Sequence, residues 1–257
     1  MTGTAVAPER DRTRPSGGML EWLNPLAKVA AVLPASVALI GVRDITTPAI
    51  VAAVAMLVLV AGARWTPLRA RAVLLSIPVL LLVTAVSFTL WTDASGVADT
   101  PVLVQLGAWQ VHLGAVQIGV ATALRVCAIA VLWLIPVLTT DSADMARALN
   151  QQLRLPYRVT YTMIIALRFP ARSVREFDTI RAARRVRGLR MGLSAVIPLL
   201  AGSIRHAEKV AIAADSREFG AYPQRTERYR VAWRGVDTVS VVLGMLAGVA
   251  IVGTIIA

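Results

Sequence analysis

Four stretches of this sequence are apolar over lengths that a water-soluble core rarely uses. Ile45–Ala63, Ala72–Trp91, Gly114–Leu138 and Val236–Ala257 consist mostly of Ala, Val, Leu and Ile. They come as solid blocks, not as the one-sided stripes of a helix half in water. A helix that crosses a bilayer needs about 20 mainly apolar residues, because the hydrocarbon offers its backbone no water. Leu23–Val42 is a fifth block, with Lys28 near its start, where a long side chain can snorkel to the interface. A mean hydropathy of +0.65 and 56% hydrophobic residues fit the same reading. The chain is expected to be an all-α integral membrane protein with about five transmembrane helices.

Charge then orients the spans, since Lys and Arg collect in loops on the cytoplasmic side. The start of the chain carries Arg10, Arg12, Arg14 and Lys28. The first turn, with Arg43 and Asp44, is nearly neutral, and Arg64, Arg69 and Arg71 follow the second block. Thr92–Leu113 reads as a loop with Asp93 and Asp99 and no Lys or Arg. Residues 139–235 hold 18 of the 27 basic residues against 8 acidic ones. Alternating sides places the N-terminus inside and the C-terminus outside, in a multi-pass plasma-membrane protein of bacterial type. The net charge of +12 is then a property of the cytoplasmic face. Residues 1–18, MTGTAVAPERDRTRPSGG, read as a disordered tail, and nothing in them follows signal-peptide order. The expected division is thus a tail at 1–18, four spans in 19–138, a cytoplasmic region at 139–235 and a last span at 236–257.

The basic region reads as helices that lie outside the bilayer. Its longest apolar run, Leu193–Ala201, is too short to span, and Arg205, Glu208 and Lys209 beyond it would be costly in hydrocarbon. Thr140 or Asp141 can cap a helix that stops near Pro156. A second helix is expected from Pro170 to Gly188, where glycine suits a C-terminal cap, and a third from Pro198 to near Gly220. Val174, Phe177 and Ile180 share a face of the second helix, and Arg184 and Arg187 fall on roughly the same face. Ile204, Ala207, Val210, Ala211 and Ala214 line one side of the third, with Arg217 within a turn. Two helices therefore each end in an arginine, 30 residues apart. The densest charge, RAARRVRGLRMG at 181–192, contains five arginines, of which Arg181, Arg184, Arg185 and Arg190 read as general electrostatics or lipid contacts.

These landmarks resemble the transmembrane T component of energy-coupling factor (ECF) importers, the EcfT/CbiQ family. LNPLAKVA at 23–30 is similar to the family's N-terminal signature, and TTDSADMARAL at 139–149 to the start of its first cytoplasmic helix. ALRFPARSVREFDTIRAARRVRG and AVIPLLAGSIRHAEKVAIAADSREFG resemble its two coupling helices. Their ends, Val186-Arg187-Gly188 and Ser216-Arg217-Glu218, occupy the slots of the family's Ala-Arg-Gly motifs. Val before Arg187 and Ser-Arg-Glu in the second slot depart from that pattern. The resemblance implies that these six residues dock two ATP-binding cassette ATPases, and that the helices carry motion to a substrate-binding membrane subunit. The cargo implied is a vitamin or a transition-metal ion. An arginine suits such docking, because it stays charged and can bond a carboxylate in bidentate fashion.

Other readings rest on less. The chain has no GxxxxGK[ST] phosphate loop, so ATP hydrolysis is expected from partners and the chain itself is not expected to be an enzyme. A membrane-anchored protein whose basic region binds anionic lipid or nucleic acid is the alternative. That region lacks a recognised nucleic-acid module and stacking aromatics in its arginine stretch, so no nucleic-acid partner is expected. Single Cys127, His112 and His206 suggest neither a disulfide nor a metal site, and no cofactor is expected. Arg125, near the middle of the fourth span, is a functional or structural candidate, with Thr84 or Ser87 as possible hydroxyl partners.

Overall fold

The structure is a computed structural model that describes residues 19–92, 100–106, 109–189, 192–222 and 229–256. The expected tail, Asp93, Asp99 and Arg190 lie outside them. The chain divides into two units, Met1–Thr140 with Trp233–Ala257, and Asp141–Ala232.

The first unit holds the apolar helices: α1 (Pro25–Gly41), α2 (Thr46–Gly62), α3 (Pro67–Trp91), α4 (Leu113–Thr139) and, from the end of the chain, Gly235–Ile256. Helices α3, α4 and the last one are long and apolar enough to cross a membrane, and α1 and α2 are apolar at 17 residues each, the low end of a span. Helix α4 packs against α1, α2 and α3. Leu39, Leu59, Ala128, Val131 and Ile135 form part of the core. Leu74, Leu75 and Leu82 of α3 stay exposed, as side chains facing lipid tails would be.

Lipid supplies little apolar drive for helix association, so close packing and polar bonds must hold spans together. Both occur. A Cβ on Gly244 of the last helix would lie 2.1 Å from the Ala31 carbonyl oxygen, so only glycine permits that crossing with α1. At the start of α1, Asn24 accepts a bond from Leu26 N through its side chain. The buried Asp237 carboxylate accepts from Asn24 N at 2.7 Å with one oxygen and from Arg234 N at 2.7 Å with the other. Lys28 is 3% exposed and donates to Thr139 O at 2.8 Å and Thr140 Oγ1 at 3.3 Å. The snorkelling expected of Lys28 is thus replaced by internal bonds to the last carbonyl of α4 and the adjoining Thr140 hydroxyl, where a cation is also favoured by the helix dipole.

The expected loop Thr92–Leu113 contains a hairpin, β1 (Val102–Leu106) with β2 (Trp109–His112). They pair antiparallel, Leu106 opposite Trp109 and Val102 opposite His112. The apolar–polar alternation of Val104-Gln105-Leu106 and Trp109-Gln110-Val111 is the signal for it.

Among the described residues, the second unit has four α-helices where three were expected: α5 (Ser142–Leu153), α6 (Tyr157–Leu167), α7 (Phe169–Val186) and α8 (Val196–Asp215), and the helix Gly235–Ile256 is α9. Asp141 caps α5, accepting from Ala143 N at 2.8 Å. Helix α7 begins one residue before Pro170, and α8 two residues before Pro198, because proline is tolerated within a first turn. Helix α8 also ends earlier than expected, at Asp215. The Gln151 amide donates to Tyr229 O at 2.8 Å and accepts from Val231 N at 2.7 Å, so it holds the returning backbone as a neighbouring strand would. Arg147 lies over the Tyr229 ring, 4.9 Å from its centroid.

Candidate functional site: two arginine-bearing helix ends

Helices α7 and α8 end by the same hydrogen-bond device. After α7, Gly188 N donates to Arg185 O at 3.1 Å and Leu189 N reaches back to Arg184 O at 3.0 Å. After α8, Glu218 N donates to Asp215 O at 2.9 Å and Phe219 N reaches back to Ala214 O at 3.0 Å. This pair of bonds is the Schellman cap, which needs one residue in the left-handed conformation. Gly188 holds that place at φ +68, and Glu218 holds it at φ +52. The two ends therefore correspond position for position in their hydrogen bonds: Val186 with Ser216, Arg187 with Arg217, Gly188 with Glu218, Leu189 with Phe219.

The departure at Glu218 has a structural meaning in this light. Glycine enters the left-handed region freely, whereas a side chain there meets the following carbonyl, at a cost of roughly 1–2 kcal/mol. The second end forms the cap in spite of that cost. Helix α6 supplies a compensating support. Phe219 sits between Tyr157 and Tyr161, with ring centroids 5.9 Å and 5.6 Å away, and Arg158 donates to Gly220 O. Neither α6 nor this seat is among the sequence expectations. The signal available was two tyrosines four apart, directly after a proline.

The first end has a different support. Arg184, expected to be a general charge, bonds Ser194 Oγ at 2.8 Å, which ties the end of α7 to the short 3-10 turn Leu193–Ala195 before α8. Arg184 and Arg185 lie in the last turn of α7, where cations offset the helix dipole. Val186, Arg187 and Gly188 are all exposed, as are Ser216, Arg217 and Glu218. Among the described residues, the guanidinium groups of Arg187 and Arg217 make no ion pair or hydrogen bond, and no such bond links the two tripeptides. Each arginine thus stands at a fixed backbone position with its charge facing outward. The apolar residues behind them, Val174 and Phe177 on α7 and Ile204 and Ile212 on α8, are exposed as well. Such ends are suited to grip an acidic groove on another protein.

Arg125 belongs to the first unit, near the middle of α4. Its Nε is buried without a hydrogen-bond partner among the described residues. Among the described residues, neither Thr84 nor Ser87 bonds it; the Ser76 hydroxyl of α3 donates instead to Val73 O within its own helix.

The comparisons with known proteins agree with this architecture. The profile of the family CbiQ, described as cobalt transport protein, matches residues 18–228. The energy-coupling factor transporter transmembrane protein EcfT of Bacillus subtilis is 26% identical over 166 residues, 58% of this chain and 62% of that protein. The EcfT of Staphylococcus aureus is 27% identical over 169 residues, 59% of this chain and 62% of that protein. A Bifidobacterium longum protein, provisionally named an ABC transporter ATP-binding protein, is 27% identical over 254 residues, 92% of this chain but 31% of that protein. The matched stretches span less than two thirds of the length of these relatives. With a family profile covering most of its length and an all-α apolar fold to match, the chain belongs to the CbiQ family, that of the transmembrane component of ECF transporters.

Proposed function

We propose that this chain is the coupling subunit of an ECF-type ABC importer, in which Arg187 and Arg217 each dock one ATP-binding cassette ATPase. The observation that carries the reading is the shared cap geometry. Two helices in one unit end in the same hydrogen-bonded device, each with an outward arginine in the same slot. That arrangement suits two like partners gripped in like manner. A protein named for ATP binding that contains a stretch similar to nearly all of this chain supports the same association. The unit Asp141–Ala232 is the cytoplasmic coupling region in this reading, consistent with its excess of basic residues and the positive-inside rule. Five spans then leave the N-terminus inside and the C-terminus outside. A separate membrane subunit binds the cargo, a vitamin or a transition-metal ion, and receives the motion of α7 and α8.

The test is recovery of ATPases with the tagged chain from its native membrane. Arg187→Glu and Arg217→Glu each remove an attractive bond and add a like charge. Breaking a buried charge pair costs about 2–5 kcal/mol, roughly 30-fold or more in affinity. Each variant should lower ATPase recovery, and the double variant should abolish it, with membrane insertion intact. Full ATPase recovery with an inserted double variant would overturn the proposal.

A further inference from the structure

We propose that the open side of α4 receives a membrane helix of another subunit, and that Arg125 bonds a carboxylate carried by that helix at mid-bilayer. The inference rests on the chain being one subunit of a larger membrane complex. Ile118, Thr122, Arg125, Trp133 and Val137 fall within about a third of the circumference of α4, at 100° per residue, a sector in which they alternate with the buried Ala115, Gly119 and Pro136. Ile118, Trp133 and Val137 are exposed although α4 is the most buried of the three helices long enough to cross a membrane. Thr122 spends its hydroxyl on Ile118 O at 2.8 Å and leaves Arg125 as the stripe's strong donor. Beside this stripe runs a groove of about 570 Å³, lined by Ile77, Leu80 and Val83 of α3 and by Ala130, Trp133 and Val137 of α4. It is apolar almost throughout, as a surface for a greasy helix would be.

Depth decides what Arg125 can meet. At 1.5 Å per residue it lies about 18 Å from the first residue of α4 and about 21 Å from the last. Lipid phosphates at either interface are therefore beyond the reach of its side chain. Cations at such depth face protein or water and pair with an acid or a carbonyl. The buried Nε has no hydrogen-bond partner among the described residues. The five apolar helices contain a single carboxylate, Asp237, in the first turn of α9 and bonded to Asn24 N and Arg234 N. A second copy of this chain likewise brings no acid to that depth. Charge complementarity thus selects a different membrane subunit, with Asp or Glu near the middle of a span.

The experiment uses the whole complex in its native membrane. A photo-cross-linking residue at Trp133 should capture a membrane subunit, at a peptide that contains a mid-span Asp or Glu. Arg125→Met should lower recovery of that subunit at least ten-fold while the ATPases still co-purify, and Arg125→Lys should largely retain it. Retained ATPases show that the Arg125→Met protein is folded. Cross-links to lipid alone, or to a second copy of this chain, would overturn the inference, as would full recovery of the membrane subunit with Arg125→Met. The docking proposal is read separately, from ATPase loss on Arg187→Glu, so either can fail alone.

Discussion

Glu218→Gly should stabilise the end of α8, although it removes a side chain and adds no contact. At φ +52, Glu218 sits in the region that costs an L-residue roughly 1–2 kcal/mol. Glycine removes that cost but gains freedom when the cap opens, an offset of about 0.4–1 kcal/mol. The net gain is about 0.5–1 kcal/mol, and 1.4 kcal/mol is a factor of ten, so opening should be about two- to five-fold rarer. The reporting amides are those of residue 218, bonded to Asp215 O at 2.9 Å, and Phe219, bonded to Ala214 O at 3.0 Å. Hydrogen–deuterium exchange of the full chain in lipid nanodiscs, corrected for the intrinsic rate of each sequence, reads both. Gly188→Ala is the mirror experiment. A Cβ there meets nothing within 4 Å, so any loss comes from its φ of +68 alone. Exchange at residues 188 and 189 should quicken by a similar factor. If Glu218→Gly leaves the α8 amides unchanged or faster, and Gly188→Ala leaves its own unchanged, the shared cap is wrong.

Three other outcomes follow from the geometry. Asp237→Asn leaves one acceptor oxygen for two N–H groups at 2.7 Å, that of Asn24 buried, so it should destabilise the apolar unit by about 1–3 kcal/mol; a lower thermal midpoint in nanodiscs with helix content unchanged checks it. Phe219→Ala removes two aromatic contacts worth about 0.5–1.5 kcal/mol each, and should speed exchange at 216–220 while leaving 187–189 as before. Bonds from the Thr46 hydroxyl, then from Thr47, hold the Asp44 carboxyl down to about 2. Its bonds to the first turn of α2 should therefore be fully present above the unfolded value of about 3.9 and fade only as pH falls through about 2. Intrinsic-corrected protection of the Thr47 amide should persist at pH 4, and its loss by that pH would contradict the assignment.

The spans were legible because length and apolarity are properties of the chain itself, and the blocks at 72–91 and 114–138 recur almost unchanged as α3 and α4. Gly188 was legible as a stop because glycine is the usual residue of a left-handed cap. Glu218 was not, since a charged residue forms that cap only with support that lies elsewhere in the chain, on α6. Helix α6 itself was missed because YRVTYTMIIAL mixes β-branched and aromatic residues between two prolines, with no stripe to mark it. The bonds of Lys28 to Thr139 and of Asn24 to Asp237 join residues more than 100 positions apart. No local pattern announces such a pair. The arginines stood out as a charge cluster, but their local sequence did not say which would be tied down. Arg184 bonds Ser194, whereas Arg187 faces outward.

Site-specific photo-cross-linking tests the central claim most directly. The probe is placed at Val186 and, separately, at Ser216, the exposed neighbours of the two arginines, so that both guanidinium groups remain. In the native membrane, with ATPases co-purifying, each position should cross-link to an ATP-binding cassette ATPase, and the captured peptides should line an acidic groove. Cross-links to lipid alone from both positions, in a preparation that retains the ATPases, would contradict the account.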